Sequence, residues 1–263
     1  MASSVRSADG VDVQYEVAGA GEPTLVFVHG WGLDRHLWDG TRPSVVDRHR
    51  VVALDLGGHG RSGRGRREWT MEAFGQDVVA VFEAVAPPRA VLIGHSMGGP
   101  VALEAALRLG ARVTAIVLVD SMVDVSQRMA ADEIEGLLTL AAQDYPTALI
   151  AMVKQFLFHP TSDPQLADRV ASAIGNGPPE IVLNALRHSW RYDAAAGFAT
   201  TRAPIRAINA DLYPTNVEAN RQYAPDYDAM IMTGGLSHYP MLEDQARFNA
   251  RLAETLVALG IPR

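Results

Sequence analysis

The stretch Ala90-Val91-Leu92-Ile93-Gly94-His95-Ser96-Met97-Gly98-Gly99 sets an apolar run directly before a serine held among glycines. The run reads as a buried strand. The Ala- and Leu-rich segment from Pro100 to Leu109 reads as a helix, because proline is tolerated in a first helical turn. Ser96 therefore falls on a sharp strand-to-helix turn. Such a turn strains the backbone, and a bulky neighbour two residues away would collide with it, which explains the glycines. The following helix aims its N-terminal amides at negative charge forming beside the serine. In this setting Gly94-His95-Ser96-Met97-Gly98 matches G-x-S-x-G and makes Ser96 a candidate nucleophile.

Outward from this turn, strand and helix patterns alternate. Val11, Val13, Tyr15 and Val17 alternate with polar residues, as in a half-buried strand. Thr24–Val28, Val51–Leu54 and Ala115–Val119 are short, continuous apolar runs suited to strands covered on both faces. Met71, Phe74, Val78, Phe82 and Val85 fall at helical spacing, with Thr70 as a candidate N-cap. Phe248, Leu252, Leu256 and Leu259 form another stripe. The order predicts an α/β fold, a mostly parallel sheet with helices on both faces. From Ser121 to about Ala203 the strand signal disappears and prolines punctuate helical segments. It returns at Ile205–Ile208 and Ala229–Met232. The expected organisation is a core of residues 1–120 and 204–263, interrupted by a helical insertion at 121–203.

The 263 residues are 48% hydrophobic and 20% charged, ordinary for a globular chain. The absence of cysteine excludes a disulfide scaffold, a thiolate metal site and a cysteine nucleophile. A net charge of −7 removes the electrostatic footprint of nucleic-acid binding. The basic cluster Arg61, Arg64, Arg66 and Arg67 reads as a solvated loop. No apolar run approaches the roughly 20 residues of a membrane span, and the N-terminal stretch has no apolar signal core. The expectation is a cytoplasmic protein that engages neither membrane nor nucleic acid. No histidine spacing matches a metal site, and no cofactor is expected.

A serine hydroxyl needs a base within reach and a carboxylate behind that base. His238, in a loop between the last strand and the last helix, is the candidate base. His95 is given a structural or pocket-lining role, and His59 braces a loop. Asp211 follows the strand Ile205–Ile208, and Asp120 closes the strand Ala115–Val119. Both satisfy the chain order serine, acid, histidine. Asp211 is the favoured acid and Asp120 the alternative, with Glu218 read as an exposed helical residue. Oxyanion donors should be the amide of Met97, just after the serine, and that of Trp31, in His29-Gly30-Trp31-Gly32.

Together, Phe27-Val28-His29-Gly30-Trp31-Gly32, Asp55-Leu56-Gly57-Gly58-His59-Gly60-Arg61-Ser62, Gly94-His95-Ser96-Met97-Gly98-Gly99 and Ser237-His238 resemble the α/β-hydrolase family over nearly the whole chain. The stretch around Trp31, with Trp38, resembles its esterase and perhydrolase-like branch. The resemblance implies an eight-stranded sheet with a helical cap after strand six. It also implies a cofactor-free hydrolase acting through a serine, a histidine and an acid. Family members often carry G-x-x-D after the seventh strand, whereas this chain reads Asn209-Ala210-Asp211, which keeps Asp120 open. The implied activity is that of a carboxylesterase on a small, largely uncharged ester. A lactonase and a carbon–carbon bond hydrolase are the neighbouring alternatives. From a different class, a small-molecule binding protein on the same scaffold would lack turnover.

Overall fold

The computed structural model describes residues 2–262. Its strands are β1 (Ala2–Arg6), β2 (Asp12–Ala18), β3 (Thr24–Val28), β4 (Val51–Leu54), β5 (Ala90–His95), β6 (Val113–Val119), β7 (Ile205–Ala210) and β8 (Asp228–Met232). They form one eight-stranded sheet in the order β1-β2-β4-β3-β5-β6-β7-β8. β2 runs antiparallel to both β1 and β4, and the other pairings are parallel. Every residue of β3, β4 and β5 is buried, so the sheet centre is covered on both faces. That explains why these strands read as continuous apolar runs rather than alternating ones.

The helices α1 (Met71–Val85) and α2 (Gly98–Leu109) follow β4 and β5. Thr70 caps α1, its hydroxyl accepting from the Ala73 amide at 3.2 Å. Phe74, Val78, Val81 and Phe82 on one face of α1 are fully buried, each contributing about 1.5–3 kcal/mol relative to exposure. Five helices fall between β6 and β7. These are α3 (Ala131–Gln143), α4 (Thr147–Leu157), α5 (Pro164–Gly175), α6 (Pro179–Arg191) and α7 (Ala194–Thr200). The chain ends with α8 (Val217–Tyr223), α9 (Pro240–Glu243) and α10 (Gln245–Ala258). Among the described residues, no helix is long and apolar enough to cross a membrane.

Two features depart from the sequence expectations. The edge strand β1 carries too few apolar residues to announce itself, yet it pairs along β2 from Ala2 opposite Glu16 to Arg6 opposite Asp12. The basic cluster is not uniformly solvated. Arg61, Arg64 and Arg67 are exposed, but the Arg66 side chain is only 5% exposed. Its guanidinium donates to Asp77, at 2.6 Å, and to Asp9, at 2.5 Å, and lies over the Trp69 and Phe74 rings. Burial holds the Asp77 carboxyl above its ordinary range, and the Arg66 contacts oppose that shift.

Candidate active site

Ser96 follows β5 directly and has φ of 52°, in the left-handed region. For a non-glycine residue that costs about 1–3 kcal/mol, sustained only by the surrounding structure. Here the Ser96 amide donates to the Val119 carbonyl at 3.0 Å. The Ser121 hydroxyl donates to the Ser96 carbonyl at 2.7 Å. The glycines leave room for the turn, since a Cβ on Gly98 would stand 2.6 Å from the Val28 carbonyl oxygen. Ser121, beside Asp120, is a contributor that the sequence reading missed.

His238 lies in the loop between β8 and α9. Its Nδ1–H donates to Asp120 Oδ2 at 2.5 Å, and the other carboxylate oxygen accepts the Ala210 amide at 2.7 Å. Asp120 is buried at the end of β6, with φ of 43°. The structure thus puts Asp120, not the favoured Asp211, beside His238. Asp211 is exposed, and its carboxylate accepts the amides of Gly234, Gly235 and Leu236 at 2.8–3.1 Å. Partial burial pushes the Asp211 carboxyl up, but the three amides outweigh it, and the group sits below its ordinary value. Asp211 holds the loop that leads to His238 and leaves the imidazole to Asp120. Glu218 is exposed on α8.

The histidines beneath the site are braces. His95 is buried against the His238 ring, with centroids 4.8 Å apart, and its Nε2–H donates to the His238 carbonyl at 2.8 Å. It does not line the cavity beside Ser96. Burial, reinforced by the neighbouring His238, drives the His95 imidazole well below its usual range. His29 donates through Nδ1–H to the Gly30 carbonyl at 2.7 Å and accepts the Leu56 amide on Nε2 at 3.0 Å. It ties the loop after β3 to the loop after β4, and burial keeps it neutral by lowering its pKa. His59 donates to the Gly57 carbonyl at 3.0 Å, and burial lowers it to about 3.

The two candidate oxyanion donors are free. Among the described residues, neither the Trp31 nor the Met97 amide has a hydrogen-bond acceptor. Trp31 is held from its other end, its indole Nε1–H donating to the Val182 carbonyl of α6 at 2.7 Å. A cavity of about 410 Å³ meets Ser96, Met97 and Trp31 on one side and residues of α3, α4 and α6 on the other. Phe156, Leu157 and Trp190 contribute apolar wall. Phe158, next to Leu157 in sequence, instead lies buried and stacked on Tyr239 with ring centroids 5.2 Å apart.

The helical insertion grips the histidine loop. The His238 amide donates to the Leu157 carbonyl at 3.1 Å, and the His159 amide donates to the Ser237 hydroxyl at 2.9 Å. Ser237 in turn donates to Glu243 at 2.9 Å. The Tyr213 hydroxyl donates to the Phe156 carbonyl at 2.7 Å. His159 and His188 serve no metal cluster. Among the described residues, no group of three or more potential ligands could hold a metal ion.

The likenesses to known proteins agree with this architecture. A pimeloyl-[acyl-carrier protein] methyl ester esterase of Klebsiella pneumoniae is 39% identical over 110 residues, 42% of this chain and 41% of that protein. The chain thus spans about two fifths of the length of that relative. The solved esterase of Exiguobacterium antarcticum superposes with a TM-score of 0.86 at 18% identity, covering 98% of this chain and 100% of the other. A thermophilic esterase of Thermogutta terrifontis gives 0.83 at 22%, covering 98% and 99%. At such identities the solved structures share the fold. The model of the alpha/beta hydrolase fold matches residues 23–193, and on that match the chain belongs to the α/β-hydrolase family.

Proposed function

We propose that the protein is a serine hydrolase that cleaves a carboxylic ester, with a small and mainly apolar body, through an acyl-enzyme. The observation that carries this reading is the Asp120–His238 pair, with Asp120 buried at the carboxyl end of β6 and the left-handed Ser96 at the carboxyl end of the neighbouring parallel β5. The ester hydrolysis named for the Klebsiella pneumoniae relative agrees with it.

In this mechanism the Ser96 hydroxyl oxygen attacks the ester carbonyl while His238 takes its proton on Nε2. Asp120 fixes the tautomer with the proton on Nδ1 and stabilises the imidazolium that forms. The amides of Trp31 and Met97 donate to the oxygen as it gains charge. Collapse of the tetrahedral intermediate breaks the ester C–O bond, and His238 returns its proton to the leaving alcohol. Water then attacks the acyl-enzyme with His238 again as base, releasing the acid and restoring Ser96. Helices α3–α7 act as a cap over the cavity, and Phe156, Leu157 and Trp190 receive the apolar part of the substrate.

The test is hydrolysis of p-nitrophenyl acetate and p-nitrophenyl butyrate by the parent and by Ser96→Ala. The expected result is turnover in the parent and a loss of about 10⁴-fold or more in the variant. A parent with neither turnover nor a burst on either ester would overturn the reading.

A further inference from the structure

The cavity wall contains one group that an apolar ester does not use. Among the described residues lining it, Glu133 on α3 is the one with a charged side chain. It has no ion pair and no side-chain hydrogen bond among the described residues. Glu133 is exposed, and its exposed neighbour Asp132 likewise has no ion pair or side-chain hydrogen bond among the described residues, but lies outside the cavity. Two positions along the same helix, Glu135 is paired with both Arg187 and Arg191 of α6. Asp193 pairs with Arg128, and Glu104 with Arg108. Arg128, Arg187 and Arg191 are thus engaged elsewhere, and among the described residues no cation pairs with the carboxylate at this cavity.

The rest of the wall favours a cation as well. Trp31, Phe156, Trp190 and Tyr213 all line the same space. The face of an aromatic ring attracts a cation within about 6 Å, by about 0.5–1 kcal/mol at an exposed site, and Phe156 and Tyr213 are each 44% exposed. Tyr213 is held with its hydroxyl donating to the Phe156 carbonyl, so its proton is committed. The soft thioethers of Met129 and Met152 complete a surface that adapts to methyl groups. An anionic substrate would meet an unpaired like charge, in a chain whose net charge is already −7.

We propose that the cavity beside Ser96 selects esters bearing a positively charged amine or quaternary ammonium group, with Glu133 as the specificity-determining carboxylate and the aromatic wall as its partner. This rests on the hydrolase reading above and narrows its substrate class from apolar esters in general to cationic ones with an apolar acyl part.

The experiment compares butyrylcholine with 3,3-dimethylbutyl butyrate, in which a tert-butyl group replaces the trimethylammonium at nearly the same volume. In the parent, kcat/KM for the choline ester is expected to exceed that for the neutral isostere by about fivefold. Glu133→Gln brings the ratio close to one. Asp132→Asn removes the same charge from the adjacent, likewise exposed position of α3, which lies outside the cavity, and leaves the ratio in place. A ratio of one in the parent overturns the proposal. So does a ratio that survives Glu133→Gln, or one that falls equally in Asp132→Asn, which would mark a diffuse net-charge effect.

A binding arm separates this proposal from the hydrolase reading. Both esters are titrated into Ser96→Ala protein, with and without Glu133→Gln, following tryptophan fluorescence. Tighter binding of butyrylcholine that Glu133→Gln abolishes supports the cation site even if neither ester is turned over by the parent. Equal binding of the two esters overturns it whatever the kinetics show.

Discussion

Asp120 and Asp211 each stand one residue beyond a parallel strand, on the adjacent β6 and β7. Asp120 is buried, has a left-handed backbone, and divides its two oxygens between the His238 ring and the Ala210 amide. Asp211 is exposed and spends its oxygens on the amides of the loop before His238. One carboxylate meets a side chain that can carry charge, and the other meets backbone donors that cannot. The comparison teaches that a strand-end carboxylate takes its role from what the following loops bring to it. A buried acid facing an imidazole can stabilise a developing imidazolium at close range, where the surrounding dielectric is low. An exposed acid facing amides shapes a turn.

The largest expected effect tests that division directly. Asp120→Asn should lower kcat on p-nitrophenyl butyrate by about 10⁴-fold, because an amide facing Nδ1 favours the wrong tautomer. Circular dichroism should show the fold retained. An Asp211→Asn loss of equal size would break the comparison. The expected loss for Asp211→Asn is instead about tenfold, from a less ordered histidine loop. Hydrogen exchange at Gly234, Gly235 and Leu236 should speed up in that variant and stay unchanged in Asp120→Asn.

The smallest effect is a pH dependence of that loop. Asp211 titrates below its ordinary value when folded, so its contribution is fully present above about pH 3.9, the unfolded reference. It is lost as pH falls through the lower folded value. Amide protection at Gly234–Leu236, followed by NMR exchange, should therefore hold steady from neutral pH to about 4 and fade only below. Fading that begins above the ordinary aspartate value would sink the assignment.

Much of the architecture could be read from local patterns. β3 to β5 announce themselves because strands buried on both faces have no polar positions to interrupt them. The N-cap at Thr70 was legible because capping involves residues three apart. β1 was not, since an edge strand with one covered face needs few apolar residues. The choice between Asp120 and Asp211 was also out of reach. Both satisfy the chain order, and the deciding contact joins residues 118 positions apart. Arg66 failed for the same reason, with one partner 57 residues away. The departure at Asn209-Ala210-Asp211 from the usual G-x-x-D was the local sign that kept Asp120 in view.

Residues 156–159 join the helical insertion to the loop that carries His238. The Leu157 carbonyl holds the His238 amide, the His159 amide meets Ser237, and the Phe156 carbonyl receives the Tyr213 hydroxyl. The insertion is consequently not an interchangeable module bounded by β6 and β7. A chimera exchanged at those strand ends discards two anchors of the histidine loop and one of the loop after β7. A graft that keeps residues 156–159 from this chain, and replaces only the helices around them, retains the backbone partners on which both loops rest.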